Sequence, residues 1–364
     1  MDTMRTSGKP VRPRRRVAIL VALLLVAATV SAPSVASATP TSTPNAAGAS
    51  TKGLSYVALG DSYAAGYGLA KQTNGPVPGC GQSALDYPHL VAKKLGLNLI
   101  DATCAGATTA DVVSTQQKLT AASATPQIDA LSRSTKVVTI SIGGNDAGLF
   151  ATASSCIALS ATGPVLSGTT KTSAANCRQN LVKRGVDTLR RAVDGPLVDG
   201  DPTTTAASGL RATFAAIKKA SPAAKVFVVG YPALFPDAAN TPKAGCFRPT
   251  INGLDLTGHF PKNGFPFTAV DVKYLHSIQV ELDAVTQAAA IDAGFTYVST
   301  LSDTEAHSAC ATRGAYVNGI TLQSTHRGRD ITVATGALHP NLVGSKFLAA
   351  TASDAIRREF ASRF

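Results

Sequence analysis

The chain contains no tryptophan, only two methionines, and 5% aromatic residues in 364. Sugar-binding surfaces stack rings on such side chains, so this scarcity disfavours an extended carbohydrate platform. No C-x2-C or H-x3-H spacing occurs, which removes the usual zinc ligand patterns, and no metal is expected. There is no internal repeat. After residue 38 no dense basic run remains, only pairs such as Lys93-Lys94, Lys218-Lys219 and Arg357-Arg358. Paired basic residues on helices form solvated faces, so nucleic acid is rejected as a partner.

What is present begins at the amino terminus. Arg5, Lys9, Arg12, Arg14, Arg15 and Arg16 face a single acid, Asp2, and an uncharged apolar run follows from Val17 to about Val30. Ala36-Ser37-Ala38 then supplies small residues for cleavage. Together these predict a signal peptide over 1–38 and a secreted, extracellular protein. An uncleaved anchor is the alternative, but the apolar run falls short of the roughly 20 residues that span a bilayer. No stable membrane anchor is therefore expected. The arginine run is compatible with either Sec or twin-arginine export. Loss of 1–38 lowers the net charge from +12 to +7. Residues 39–53, rich in Thr, Pro, Ser, Ala and Gly, read as a flexible leader. Residues 54–364 read as one domain.

All six cysteines follow the leader: Cys80, Cys104, Cys156, Cys177, Cys246 and Cys310. An even count in an oxidising compartment argues for three disulfides among about fifteen connectivities. Sequential pairing is favoured, since each pair then closes a loop between neighbouring elements.

Five short apolar runs read as strands: 54–59, 97–102, 136–142, 225–230 and 295–299. Helical patterns lie between them at 84–96, 109–119, 177–193, 208–221, 269–293 and 341–361. Near-continuous apolar strands alternating with helices predict an α/β fold, a three-layer α/β/α sandwich around a central parallel sheet of about five strands. Two regions rich in Gly, Pro, Ser and Thr, 147–176 and 232–268, read as disulfide-pinned loops at one end of the sheet. Leu234, Phe235, Phe247, Phe260, Phe265 and Phe267 in the second either line an acyl pocket or fill the core of a long loop.

Ligand sites of open parallel sheets lie beyond the carboxyl ends of the strands. The first strand ends in Gly60-Asp61-Ser62-Tyr63, where glycine permits a sharp turn and serine offers a hydroxyl. The second leads to Cys104-Ala105-Gly106, where a backbone N–H is open to approach. The third ends in Gly143-Gly144-Asn145-Asp146, with an amide able to donate. Each block alone is an ordinary turn; together they supply a nucleophile and an oxyanion hole. The base comes from six histidines. His89, His259, His276, His307 and His326 lack a distinctive setting and read as surface or packing residues. His339 precedes Pro340 and the last helix, where proline stiffens the loop at a helix start.

At these residues the chain resembles the SGNH (GDSL-type) hydrolases, whose four blocks appear in order as Gly60-Asp61-Ser62, Gly106, Gly144-Asn145-Asp146 and His339-Pro340. The cysteines, Gly230-Tyr231-Pro232 and the export signal resemble the secreted bacterial lipase and esterase branch with three disulfides. The resemblance implies the flavodoxin-like SGNH fold and sequential disulfides. It further implies Ser62 as nucleophile, His339 as base, and Ser62 N–H, Gly106 N–H and the Asn145 side chain as oxyanion hole. One departure stands out: the Asp that many members carry three residues before the histidine is Gly336 here. A backbone carbonyl, of Gly336 or Ala337, is therefore expected to orient His339, with Asp330 as the fallback carboxylate. The expected activity is hydrolysis of lipid or fatty-acyl esters through an acyl-enzyme, without cofactor, by a monomer. A carbohydrate O-deacetylase using the same site and a catalytically inactive binding protein are the alternatives.

Overall fold

Ile100, Val57, Val138 and Val226 lie side by side across four adjacent parallel strands. The computed structural model describes residues 50–165, 174–201, 208–252, 260–325 and 330–361. The expected signal peptide and most of the leader lie outside these residues. The leader's last residues are tied down: Thr51 Oγ1 donates to Leu95 O at 2.9 Å and Gly53 N–H to Gly96 O at 2.7 Å.

The central strands are β1 (Ser55–Gly60), β2 (Asn98–Asp101), β3 (Val137–Ser141), β4 (Lys225–Val229) and β5 (Thr296–Val298). They pair in parallel in the order β2-β1-β3-β4-β5. Strand side chains alternate between faces. Tyr56, Ala58, Val137, Phe227 and Val229 pack on one face against the helices Tyr87–Leu95 and Leu342–Ala361. Val57, Leu59, Val138, Ile140, Val226 and Val228 pack on the other against Leu210–Ala220 and Ala269–Asp292. That is the three-layer sandwich. The strand order reverses between β1 and β3, the switch point where this sheet topology opens a crevice.

Two predicted helices are interrupted. The segment expected as helix 109–119 is helical only over Thr109–Val113, after which Gln117–Lys118 pairs antiparallel with Ser123–Ala124. The helix expected over 177–193 divides into Arg178–Leu181, a hairpin of Val182–Lys183 with Val186–Asp187, and Thr188–Asp194. Arg184 and Gly185 both take positive φ, 51° and 77°, the conformation of a two-residue hairpin turn. Asp187 then caps the second helix, accepting Arg190 N–H at 3.0 Å.

Disulfides join Cys80 to Cys104, Cys156 to Cys177 and Cys246 to Cys310, the sequential pairing. Phe235, Phe265 and Phe267 pack edge to face with centroids 4.9–5.8 Å apart and are fully buried. With buried Leu234, these rings fill the core. Among the described residues, no helix is long and apolar enough to cross a membrane.

Candidate active site

Ser62 owes its position to the residue two before it. Gly60 has φ +138°, and a Cβ there would meet Ser141 O at 2.4 Å, so only glycine lets the ends of β1 and β3 approach so closely. The Gln127 amide clamps this turn, accepting Gly60 N–H at 2.7 Å and donating to Gly60 O at 2.9 Å. Asp61 then caps a one-turn helix, Ser62–Ala65, by accepting Tyr63 N–H at 2.9 Å. Ser62 stands at its first position, where a backbone N–H has no intrahelical acceptor.

The His339 imidazole meets the serine from the far end of the chain. Its Nε2 lies 2.8 Å from Ser62 Oγ, and its Nδ1 lies 2.7 Å from Ala337 O. A proton on Nδ1 donated to that carbonyl leaves the Nε2 lone pair facing the serine hydroxyl. The two carbonyls expected as alternatives are thereby told apart. Gly336 O instead accepts His339 N–H at 3.2 Å and Asn318 Nδ2 at 3.1 Å. The fallback Asp330 lies in a hairpin with Leu322–Thr325.

The histidine loop is held by backbone rather than by proline at a helix start. Leu338 N–H donates to Asn318 O at 3.1 Å, and His339 O accepts Asn318 N–H at 2.9 Å. The final helix starts at Leu342, two residues beyond Pro340, and Asn341 caps it by accepting the N–H groups of Val343 and Gly344. Tyr63 OH donates to Leu338 O, joining the Ser62–Ala65 helix to the His339 loop.

Gly106 has φ +83° and is exposed, with Gln117 Nε2 the nearest atom to a notional Cβ at 3.5 Å. Asn145 donates from Nδ2 to Ala107 O at 2.9 Å, which ties the turn after β3 to the turn after β2. Among the described residues, the second proton of that amide has no acceptor. Among the described residues, the N–H groups of Ser62 and Gly106 have no protein acceptor. Asp146 is occupied otherwise, accepting the N–H and hydroxyl of Thr109.

Aromatic rings surround the imidazole. Tyr63, Tyr67 and Phe150 lie 5.1, 5.2 and 5.6 Å from its centroid, Phe150 nearly parallel to it. Ser62 is 5% exposed beneath this cover. Burial pushes His339 down from 6.5 to about 4, against the opposing effect of the Ala337 hydrogen bond. Burial pushes Asp61 up to about 7, although hydrogen bonds from Tyr231 OH and Tyr63 N–H favour its charged form. Sequence reasoning missed the part played by Tyr63, Tyr67, Phe150 and the Tyr231 hydroxyl. Only the fact that Tyr63 follows Ser62 in a helical turn was a local hint. A separate set able to hold a cation, Asp86, His89 and Asp101, also went unread.

A three-layer sandwich with a serine and an imidazole in contact at its strand ends defines the class of SGNH-type hydrolases. Residues 58–347 match the model of the GDSL-like lipase/acylhydrolase family. Lipase 2 of Streptomyces coelicolor is 30% identical over 303 residues, covering 83% of this chain and 86% of that one. The crystal structures of phospholipase A1 from Streptomyces albidoflavus and of an extracellular lipase from Streptomyces rimosus superpose with TM-scores of 0.57 and 0.56. Each is 22% identical and covers 84% of this chain and 99% of its own, which establishes a shared fold. The chain belongs to the GDSL-like lipase/acylhydrolase family. It is a carboxylic ester hydrolase.

Proposed function

We propose that the protein is a secreted lipase or esterase that cleaves fatty-acyl esters through a covalent intermediate on Ser62. The single observation that carries this reading is the 2.8 Å contact between Ser62 Oγ and His339 Nε2. His339 takes the serine proton as Oγ attacks the ester carbonyl. The oxyanion is received by the N–H groups of Ser62 and Gly106 and the free amide proton of Asn145. The imidazolium then gives its proton to the leaving alcohol, and water activated by the same imidazole releases the acid.

At Nδ1 the acceptor is a carbonyl: Ala337 O takes that proton at 2.7 Å. A carbonyl fixes the tautomer and offers only partial charge to the imidazolium. The imidazolium is thus stabilised chiefly by the oxyanion that forms with it, in a site where burial strengthens their attraction. Preference for acyl chains is supported by the apolar rings of Tyr63, Tyr67 and Phe150 around the reacting pair and by the lipase named among the relatives. Secretion is supported by the basic, apolar and A-x-A segments of residues 1–38 and by three disulfides.

The test is turnover of p-nitrophenyl esters over a range of acyl lengths, beside mass analysis after a fluorophosphonate. Wild type is expected to hydrolyse the longer esters and to carry one phosphonate on the peptide containing Ser62, and Ser62→Ala to do neither. Equal turnover by both proteins rejects the nucleophile. A preference for acetylated xylan over every p-nitrophenyl ester rejects the substrate class.

A further inference from the structure

Asp86 caps the helix Tyr87–Leu95, its Oδ1 accepting His89 N–H at 2.7 Å. His89 turns Nδ1 back to the same carboxylate, 2.9 and 3.0 Å from its two oxygens. Asp101, the last residue of β2, brings Oδ2 to 3.3 Å from that nitrogen. Asp101 is fixed through its other oxygen, which accepts Thr103 N–H at 3.0 Å, Thr103 Oγ1 at 2.6 Å and Gln82 Nε2 at 3.0 Å. Oδ2 is left buried with no hydrogen-bond donor, on a side chain only 6% exposed. One Nδ1–H cannot serve three carboxylate oxygens, and a buried acceptor left without a donor is costly.

We propose that Asp86, His89 and Asp101 bind a divalent first-row metal ion of the size of zinc, at a site separate from the ester chemistry. Among the described residues, this is the one set of three such ligands whose donor atoms all lie within 4.8 Å of one another. One imidazole and two carboxylates suit Zn2+, with bonds of about 2.0–2.2 Å. Donors at that radius stand roughly 3.0–3.4 Å apart in octahedral or tetrahedral arrangements, close to the spacing of the imidazole and carboxylates here. Calcium, at about 2.3–2.6 Å with six to eight oxygens, fits the set poorly. The His89 side chain is 33% exposed, which gives the ion a path and room for water ligands.

The ion would brace one wall of the active site. Gly66, which ends the nucleophile helix, packs so closely on Asp86 that a Cβ there would meet the Asp86 Cβ at 2.8 Å. On the other side, Gln82 Nε2 joins Asp101 to Thr103 O at 2.8 Å, at the start of the loop that carries Gly106. Binding to the folded state alone raises its stability.

The experiment uses tag-free, disulfide-intact enzyme treated with a chelator and freed of it, at pH 7.5. Zn2+ is titrated by calorimetry, Co2+ by visible absorption, and thermal unfolding is followed with and without Zn2+. The expected result is one Zn2+ per chain, ligand-field bands with Co2+, and a higher Tm with the metal. His89→Ala and Asp101→Asn are each expected to weaken Zn2+ binding at least about tenfold. Both should keep the far-ultraviolet circular dichroism of the wild type and a cooperative thermal transition, which shows that they fold. No binding by the wild type overturns the proposal. Unchanged binding by both variants overturns it equally, since the ion then sits elsewhere.

Discussion

The Tyr231 hydroxyl stands 2.5 Å from Asp61 Oδ2 and accepts the Gly144 N–H at 3.0 Å, so one phenol joins the turn of Ser62 to the turn of Asn145. The three groups are buried, and the two hydrogen bonds cross 170 and 87 residues of sequence. In Tyr231→Phe the ring is kept and the link is lost. The Gly144 N–H is left without its acceptor, and the turn that carries Asn145 is released from the turn of Ser62. Misplacement on the scale of an ångström costs about 10²-fold in rate. The expected outcome is a fall in kcat of about tenfold to a hundredfold with KM little changed, measured on a short-chain p-nitrophenyl ester. A rise in KM at constant kcat would show that Tyr231 serves substrate binding instead.

Asn145→Ala removes a donor outright. It also removes the bond to Ala107 O, so the turn after β2 loses an anchor. Loss of one oxyanion donor commonly costs about 10²–10³ in kcat. That range is expected here, with fluorophosphonate labelling of Ser62 slowed alongside hydrolysis. Wild-type kcat in this variant would exclude the amide from the oxyanion hole.

The sheet was legible because β1, β3 and β4 are buried on both faces and read as unbroken apolar runs. The hairpin inside 177–193 was not, since Val182, Val186 and Leu189 suit a helical stripe as well as a strand and only the backbone of Arg184 and Gly185 decides. The Gly60-Asp61-Ser62, Gly106, Gly144-Asn145-Asp146 and His339-Pro340 blocks could be read in order because each is local. Their supports could not. Tyr63 reaches Leu338 across 275 residues, and nothing near either residue announces the contact. His89 is a similar case: Asp86 three residues before it is a local signal, but Asp101 arrives from a neighbouring strand.

His339 Nε2 lies 2.8 Å from Ser62 Oγ, and its lowered value has a direct kinetic consequence. An imidazole held at about 4 remains neutral through the mildly acidic range, where one at 6.5 would be mostly protonated. The acid limb of kcat/KM is therefore expected near pH 4 to 5. With Nδ1 already engaged by Ala337 O at 2.7 Å, Asp330→Asn is expected to leave both kcat and this limb within about twofold. A limb at 6.5, or a large loss in Asp330→Asn, would mean that a carboxylate completes a triad.

The buried charges also shape stability, and they act in opposite senses. Folded His339 holds fewer protons than the unfolded chain between about pH 4 and 6.5, so its contribution to stability falls as pH falls through that window. Asp61 is raised from 3.8 to about 7, so the folded protein holds more protons there, and stability falls as pH rises from about 4 to 7. Asp61→Asn isolates the second effect. Asparagine can still cap the Ser62–Ala65 helix with Oδ1 while Nδ2 donates to the Tyr231 hydroxyl oxygen, and it carries no charge to bury. Urea midpoints are expected to match wild type near pH 4 and to exceed it increasingly from pH 5 to pH 8. If the variant is instead less stable than wild type at pH 8, the buried carboxylate is held by its two donors more strongly than burial opposes it.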